Sequence, residues 1–147
     1  MANPPWASTG ETGLPTVQPG KQVNLTEALA GAPARNDLVV VGGTRFSSAE
    51  LEATTCSTAA ALAERSVGHG DRVAFQLPVG VEAVALYRAC WRLGAVAAAL
   101  HPRAGPAQLV AAIEALDPAV RVAGPGSPAA ELPGVLDVRC QIGRAHV

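Results

Sequence analysis

Residues 68–102 constrain the fold more than any other stretch of this chain. A short apolar run at 72–77, opened by Gly-Asp and stopped by a proline, is typical of a buried strand. Residues 79–93 are apolar on nearly every side of a helix that ends at Gly94, and 95–100 predict a second buried strand. Strand, helix and strand in about 30 residues form a βαβ unit, which is expected to be parallel and right-handed.

A hairpin and a capped helix are predicted upstream of this unit. Two β-prone runs, 38–41 and 44–46, flank a pair of glycines, which is the pattern of a tight two-residue turn. Ser47 and Glu50 have capping-box spacing, so a helix is predicted to start there and to end near Gly68. Its expected buried face carries Leu51, Thr55, Ala59 and Leu62.

A further helix and strand are predicted downstream. Pro106 suits the first turn of a helix, and Asp117-Pro118 ends it. The expected apolar stripe of this helix consists of Leu109, Val110, Ile113 and Leu116. Residues 120–123 predict a third parallel strand, and the Pro- and Gly-rich stretch 124–134 predicts a loop.

The start of that loop, Gly-Pro-Gly-Ser at 124–127, could be taken for a phosphate-binding turn. Two prolines, Pro125 and Pro128, remove backbone N–H donors, and no lysine follows. We therefore interpret this stretch as an ordinary loop.

Length and charge limit the classes of function. The 147 residues suffice for one compact domain, and a net charge of −1 excludes the basic footprint of a nucleic-acid-binding protein. No signal segment opens the chain, and no apolar run reaches the ~18 residues of a membrane span. We expect a cytoplasmic protein that binds neither nucleic acid nor membrane.

The two ends are predicted to lie outside the folded part, which is expected to span 23–138. Residues 1–22 hold four prolines and no apolar period, which indicates a disordered leader. Asn24 and Glu27 then have the spacing of a capping box for a short helix at 25–30.

Residues 139–147 are predicted to be a non-native tail. From Gln141 the sequence reads QIGRAHV, which can be back-translated as CAG ATC GGA AGA GCA CAC GTC. This DNA resembles a sequencing adapter read in frame, so His146 is not credited as a ligand or a base. Genomic DNA that encodes residues 141–147 would refute this hypothesis.

The cysteines and histidines favour structural roles. Cys56 and Cys90 fall on predicted apolar helix faces, where a free cysteine acts as a small hydrophobic residue, and Cys140 leaves an odd number without metal-binding spacing. His69 is expected in an exposed loop. His101 follows a strand end, where ligand crevices form in parallel sheets, but a turn role is favoured.

Other polar and aromatic residues have similarly plain interpretations. Asp71 is expected to cap the turn into its strand. Arg88 and Arg92, four residues apart, are expected on one solvated or domain-contacting side of their helix. Tyr87 and Trp91 on the same helix are expected in a core or an interface.

These segments together resemble the opening region of the AMP-binding, or acyl-adenylate-forming, enzymes of the acyl-CoA synthetase and ligase type. The motif GDRVAFQLP…E…Y.ACWRLGAV….HP carries the resemblance, with VVVGGTRFSSAEL and GHGD upstream, over about 85 of 147 positions from Leu38 to Val122. The resemblance implies an α/β fold, in which a β-hairpin and a βαβαβ parallel sheet with flanking helices form part of the family's N-terminal subdomain. His101 departs mildly from it, because the family commonly has an amide residue there.

The resemblance also implies a function for the full-length enzyme. Such a ligase joins a carboxylic acid to ATP, forming an acyl-adenylate, and then usually passes the acyl group to coenzyme A; ATP, Mg²⁺ and coenzyme A are therefore implied. The family contacts phosphate through a Ser/Thr/Gly-rich loop ending in P-K-G and through a lysine near its far C-terminus. The single lysine here, Lys21, precedes Gln22 and matches neither.

No catalytic, cofactor-binding or metal site is consequently assigned to this chain. We expect a fragment that is inactive alone and whose principal partner is the missing C-terminal remainder. Its helix at 79–93 is apolar on so many sides that we expect missing sequence to cover part of it, and we expect the isolated chain to bind a hydrophobic dye or aggregate. Scarce lysine and abundant alanine indicate a GC-rich, bacterial genome.

A second interpretation stays open: a self-sufficient, non-catalytic α/β module that binds a ligand or a partner. The downstream DNA separates the two, because an in-frame P-K-G loop supports the ligase and a native stop codon near Cys140 favours the module.

Overall fold

The computed structural model describes residues 25–30, 33–36 and 38–137. The leader, the capping role of Asn24 and the tail predicted for 139–147 therefore lie outside the described residues. In chain order the elements are α1 (Leu25–Ala30), β1 (Val39–Val41), β2 (Thr44–Phe46), α2 (Ser48–Ala63), β3 (Arg72–Gln76), α3 (Val81–Leu93), β4 (Val96–Ala99), α4 (Pro106–Leu116), β5 (Val120–Ala123), a 3₁₀ turn (Pro128–Glu131) and β6 (Leu136–Asp137).

A parallel sheet in the order β4-β3-β5-β6 forms the centre of the fold. Val73 of β3 pairs with Ala97 of β4 on one side and with Val120 of β5 on the other, both in parallel register. The predicted βαβαβ arrangement and the antiparallel β1–β2 hairpin are confirmed. The short strand β6 and the 3₁₀ turn lie in or just after the stretch predicted as loop, because two-residue pairing leaves no periodic signal in the sequence.

The prediction that β4 is a buried strand is wrong. Val96 is 50% exposed, and Ala97 and Ala98 are half-buried. Within the described part of the chain, β4 pairs on one side alone, with β3, so it is an edge strand. Its apolar run reflects contact with neighbouring helices on part of its surface and not enclosure on both faces.

Helix α2 starts as its capping box predicts. The Ser47 hydroxyl accepts from the Glu50 N–H (3.2 Å), and the Glu50 carboxylate accepts from the Ser47 N–H (2.8 Å). The four residues predicted to be buried are indeed buried, together with Thr58. The helix ends at Ala63 and not near Gly68, because the chain turns earlier, through Ser66 at φ 62°.

Helix α3 joins β3 to β4. It begins at Val81, two residues later than predicted, which leaves Val79 at 90% exposure. Its predicted end at Gly94 is confirmed: this residue has a left-handed φ of 69°, and a Cβ there would lie 2.9 Å from the His69 ring. The Asp71 carboxylate accepts from the Gly68 N–H at 2.8 Å, as the predicted cap requires.

Two apolar clusters lie on opposite faces of the sheet, since successive side chains of a strand point to opposite sides. The larger one joins α2 and α3 to the sheet through Ala59, Leu62, Val67, Val73, Phe75, Leu77, Leu86, Ala89, Cys90, Ala95, Val120 and Val122. The smaller one joins α4, β5 and the 3₁₀ turn through Leu109, Ala123 and Ala129. Val110, predicted in the apolar stripe of α4, is instead 42% exposed, because it lies about 100° around the helix from Leu109.

Candidate functional site

The carboxyl ends of β3, β4 and β5 meet at one edge of the sheet, because these strands are parallel. Ligand crevices of open parallel α/β sheets form at this edge. Two loops dominate it here: residues 100–105, between β4 and α4, and residues 124–131, which follow β5 and include the 3₁₀ turn. We refer to them as the first and the second edge loop.

The first edge loop contains His101 and Arg103. The Nδ1 atom of His101 accepts a hydrogen bond from the Arg103 backbone N–H at 3.1 Å, so this imidazole closes a turn, as the sequence favoured. Both residues are exposed. They border an open cleft of about 580 Å³ whose lining consists of Ala99, Leu100, His101, Arg103, Ala104, Gln108, Leu109 and Ala112. A guanidinium and an imidazole beside an apolar wall suit a ligand that combines anionic and apolar parts.

The second edge loop packs closely against the loop after β3. A Cβ on Gly124 would lie 3.0 Å from the Pro78 ring, so a larger residue there would force the two loops apart. The Ser127 hydroxyl and the Ser127 N–H both donate to the Gly124 carbonyl, at 2.9 and 3.2 Å. These two donors are therefore used inside the loop and do not point to a ligand.

Gln76, the last residue of β3, joins the two edge loops. Its side-chain amide donates to the His101 carbonyl at 2.8 Å, and its side-chain oxygen accepts from the Ala129 N–H at 2.8 Å. The residue is 1% exposed. A buried amide with both ends bonded to backbone fixes the distance between the segments that it bridges.

A polar cluster links α2 to α3 on the other face of the sheet. The Glu52 carboxylate accepts from the guanidinium groups of Arg88, at 3.1 Å, and Arg92. The hydrogen bond from Arg92 lowers the pKa of Glu52 most, and the same bond raises the pKa of Arg92. Of the two arginines, predicted on a solvated or domain-contacting side, Arg92 is exposed and Arg88 half-buried, and both pair with a neighbouring helix of their own chain.

Cys56 belongs to this polar cluster, which corrects the prediction that it lies on an apolar face. It is exposed, and Arg92 donates to its sulfur at 2.8 Å. The predicted setting is correct for Cys90, which is fully buried. Burial raises the pKa of the Cys90 thiol to about 11, which keeps it neutral and unreactive at physiological pH.

An open apolar groove lies beside the aromatic residues of α3. The Tyr87 ring meets Phe75 edge-on, with centroids 5.0 Å apart, and its centroid lies 6.0 Å from that of Trp91. The groove has a volume of about 450 Å³ and is lined by Leu29, Leu38, Val39, Leu51, Val84, Tyr87, Arg88 and Trp91. We predicted that sequence outside this chain covers part of α3, and this stays a prediction.

The residues that the structure describes contain neither a candidate metal site nor a candidate membrane-spanning helix. In residues 25–30, 33–36 and 38–137, no three His, Cys, Asp or Glu side chains come together as a metal site would require. Over the same ranges, no helix combines the length and the apolarity needed to cross a bilayer.

Sequence reasoning missed Gln76 and Glu52. A signal for the first was present, since a glutamine inside the apolar run VAFQL must be hydrogen-bonded if the strand is buried. No comparable signal existed for Glu52, because its two arginine partners come from a helix that begins 29 residues later in the chain and that only tertiary packing brings close.

Comparison with known proteins gives a consistent picture. The family model described as "AMP-binding enzyme" matches residues 25–144. The 3-hydroxybenzoate–CoA ligase of Aromatoleum sp. (strain CIB) is 40% identical over 91 residues, which are 61% of this chain and 16% of the relative. The 3-hydroxybenzoate–CoA/4-hydroxybenzoate–CoA ligase of Thauera aromatica is 32% identical over 103 residues, 67% of this chain and 20% of the relative. The chain thus spans about a fifth or less of the length of these curated relatives.

A solved structure agrees with the sequence comparisons. ATP-bound MatB from Rhodopseudomonas palustris superposes with a TM-score of 0.68 and 28% sequence identity, over 83% of this chain and 27% of MatB. The described hairpin, parallel sheet and helices accordingly match the N-terminal subdomain of adenylate-forming enzymes. On the extent of the family match and the agreement in fold, the chain belongs to the AMP-binding enzyme family.

Proposed function

We propose that this chain is an N-terminal portion of an ATP-dependent acid–thiol ligase, which forms an acyl-adenylate and then a coenzyme A thioester. The family match over residues 25–144 is the observation that carries this proposal. The coenzyme A ligases among its relatives support the thioester step. In this proposal the substrate is a carboxylic acid, and the enzyme works in the bacterial cytoplasm.

We further propose that the chain supplies scaffold and no chemistry. Adenylate formation develops negative charge on phosphate, which requires donors, a metal ion or a positive side chain aimed at it. The one lysine of the sequence, Lys21, precedes the family match, and no P-K-G loop occurs. The Ser127 donors are used within the second edge loop. ATP, Mg²⁺ and coenzyme A are therefore proposed for the full-length enzyme and assigned to no residue here.

The remaining boundaries belong to the same proposal. Residues 23–138 form the folded part, 1–22 a leader, and 139–147 a tail whose last seven residues derive from adapter DNA. The C-terminal remainder of the natural protein is then the partner that completes the enzyme.

The experiment starts from the genomic locus. An in-frame P-K-G loop downstream of residue 138 is expected, and the encoded product should catalyse carboxylate-dependent exchange of pyrophosphate into ATP and form acyl-coenzyme A. The 147-residue chain should give neither signal. As a matched control, the locus product with the P-K-G lysine replaced by alanine should lose most of its activity.

Two results would overturn the proposal. Pyrophosphate exchange by the 147-residue chain would show that it contains catalytic residues. A native stop codon near Cys140, together with a product that folds and binds a ligand without exchange, would favour the non-catalytic module.

A further inference from the structure

We propose that Gln76 is a positioning residue that fixes the first edge loop relative to the second at the carboxyl edge of the sheet. Its side chain bonds directly to the backbone of both loops, at His101 in the first and at Ala129 in the second. Those partners lie 25 and 53 residues away in sequence, so no local element holds them together.

The burial of Gln76 makes these two bonds consequential. At 1% exposure, neither end of its amide can exchange its partner for bulk water. A leucine of similar size would leave the buried Ala129 N–H without this acceptor, where an unmade hydrogen bond is costly. The His101 carbonyl would keep only its bond from the Ala104 N–H (3.0 Å) among those described. Ala129 itself is 2% exposed.

The fully buried part of the apolar packing around the edge loops is small. Half-buried residues, namely Leu100, Ala104, Leu132 and Val135, pack against the cluster that joins α4, β5 and the 3₁₀ turn. Its fully buried members among the described residues are Leu109, Ala123 and Ala129. Two of them are alanines, which bury little apolar area and interlock weakly with their neighbours. The hydrogen bond from Ala129 to the Gln76 side chain therefore adds a specific contact to the second edge loop, beside the bond from the Gly124 N–H to the Gln76 carbonyl (3.0 Å).

The functional consequence concerns the cleft beside His101 and Arg103. The first edge loop contains both residues, and its His101 carbonyl accepts a hydrogen bond from the Gln76 side chain. Gln76 thus sets the position of residues that line the cleft, although it does not line the cleft itself. The importance of this cleft rests on the proposed function, whereas the link between the loops does not.

The test uses Gln76→Leu and Gln76→Glu in the full 147-residue chain, followed by amide NMR and hydrogen exchange. In Gln76→Leu, the Ala129 amide should exchange at least about tenfold faster relative to the amides of β3 and β5, and the resonances of residues 101–104 should shift. Thr58→Val is the matched control, since Thr58 is equally buried (1% exposed) and bonds through its hydroxyl to the Thr54 carbonyl, far from the edge. It should leave the Ala129 exchange ratio unchanged.

Gln76→Glu adds a readout that general destabilisation cannot mimic. A neutral carboxyl can donate to the His101 carbonyl and accept from the Ala129 N–H, whereas a carboxylate cannot donate. Acidification should therefore return residues 101–104 and 129 towards the wild-type spectrum recorded at the same pH. The Gln76→Glu variant also tests the proposal if Gln76→Leu does not fold.

The proposal fails if Gln76→Leu folds and leaves Ala129 and residues 101–104 unchanged, if all amides change by one common factor, or if Gln76→Glu shows no recovery at low pH. The readouts need no ligase activity, so a failure here is distinct from a failure of the proposed function.

Discussion

The two faces of the sheet are built in different ways. On the helical face, defined by α2 and α3 against the sheet, twelve buried residues form one cluster. On the edge-loop face, defined by α4 and the two edge loops, the described residues give a cluster of three buried and four half-buried apolar residues, and the Gln76 side chain adds two hydrogen bonds. The difference teaches that one face supports the fold by apolar packing, whereas the other holds its loops by a few specific contacts.

This division is useful in a chain of this family. Ligand-facing loops are commonly drawn from the less stable parts of a protein, because they must move or adapt. A large packed cluster behind them keeps their attachment points fixed. We therefore expect substitutions on the two faces to differ in the free energy of unfolding that they remove.

The largest expected effect comes from a pair of leucine truncations. Leu86 and Leu109 are both fully buried, the first on the helical face and the second on the edge-loop face. Leu86→Ala should lower the free energy of unfolding by about 4 kcal/mol, and Leu109→Ala by about 2–3 kcal/mol because its half-buried neighbours can close the gap. Urea denaturation at constant m-value measures both. Equal losses of unfolding free energy in the two variants would contradict the proposed difference between the two faces.

Alkaline pH should weaken the helical face through Cys90. Burial raises the pKa of this thiol from 9.0 to about 11, so the native state holds its proton longer than the unfolded state. The stabilisation is complete below pH 9.0 and is lost as the pH rises through about 11, with a total of about 2–3 kcal/mol. Unfolding measured between these limits should be less steep in pH for Cys90→Ala. An identical slope in both proteins would contradict this account.

Removing the cap of α2 should have an intermediate effect on the same face. Ser47→Ala deletes the hydroxyl that accepts from the Glu50 N–H, which should cost about 1 kcal/mol in thermal or urea unfolding. Ser57→Ala is the control, because that hydroxyl donates to the Thr54 carbonyl inside the helix and satisfies no free N–H. If both variants lose the same stability, the cap has no special role.

The smallest expected effect concerns the Glu52 cluster. A double-mutant cycle of Glu52→Gln and Arg92→Gln should give a coupling of about 0.5 kcal/mol, since the Glu52 side chain is 43% exposed and solvent screens the pair. The pKa of Glu52 is lowered, so its contribution is present above the unfolded pKa and lost as the pH falls through the folded one. About 1 M salt should reduce the coupling. Coupling above about 2 kcal/mol would mean that this cluster, too, holds the helical face together.

The sequence predicts the helical face well. The capping box at Ser47, the buried stripe of α2 and the glycine that ends α3 are local patterns, and each appears where its spacing indicates. The parallel pairing follows from the short βαβ connection, which leaves few alternatives.

The edge-loop face and the exposed strand are harder to read from sequence. The four residues Val-Ala-Ala-Ala of β4 look the same in an edge strand as in a buried one, so the position in the sheet decides their exposure. Cys56 looks apolar until α3 places Arg92 beside it. The role of Gln76 depends on two loops that only the folded sheet brings together.

Hydrogen exchange across the two faces tests the central claim most directly, namely that a stable helical face supports a less stable edge-loop face. Peptides from α2 and α3 should exchange at the slowest rate in the 147-residue chain, and peptides covering 100–109 and 126–132 should exchange at least about tenfold faster. Equal protection of both sets, or slower exchange in the edge loops, would contradict the account.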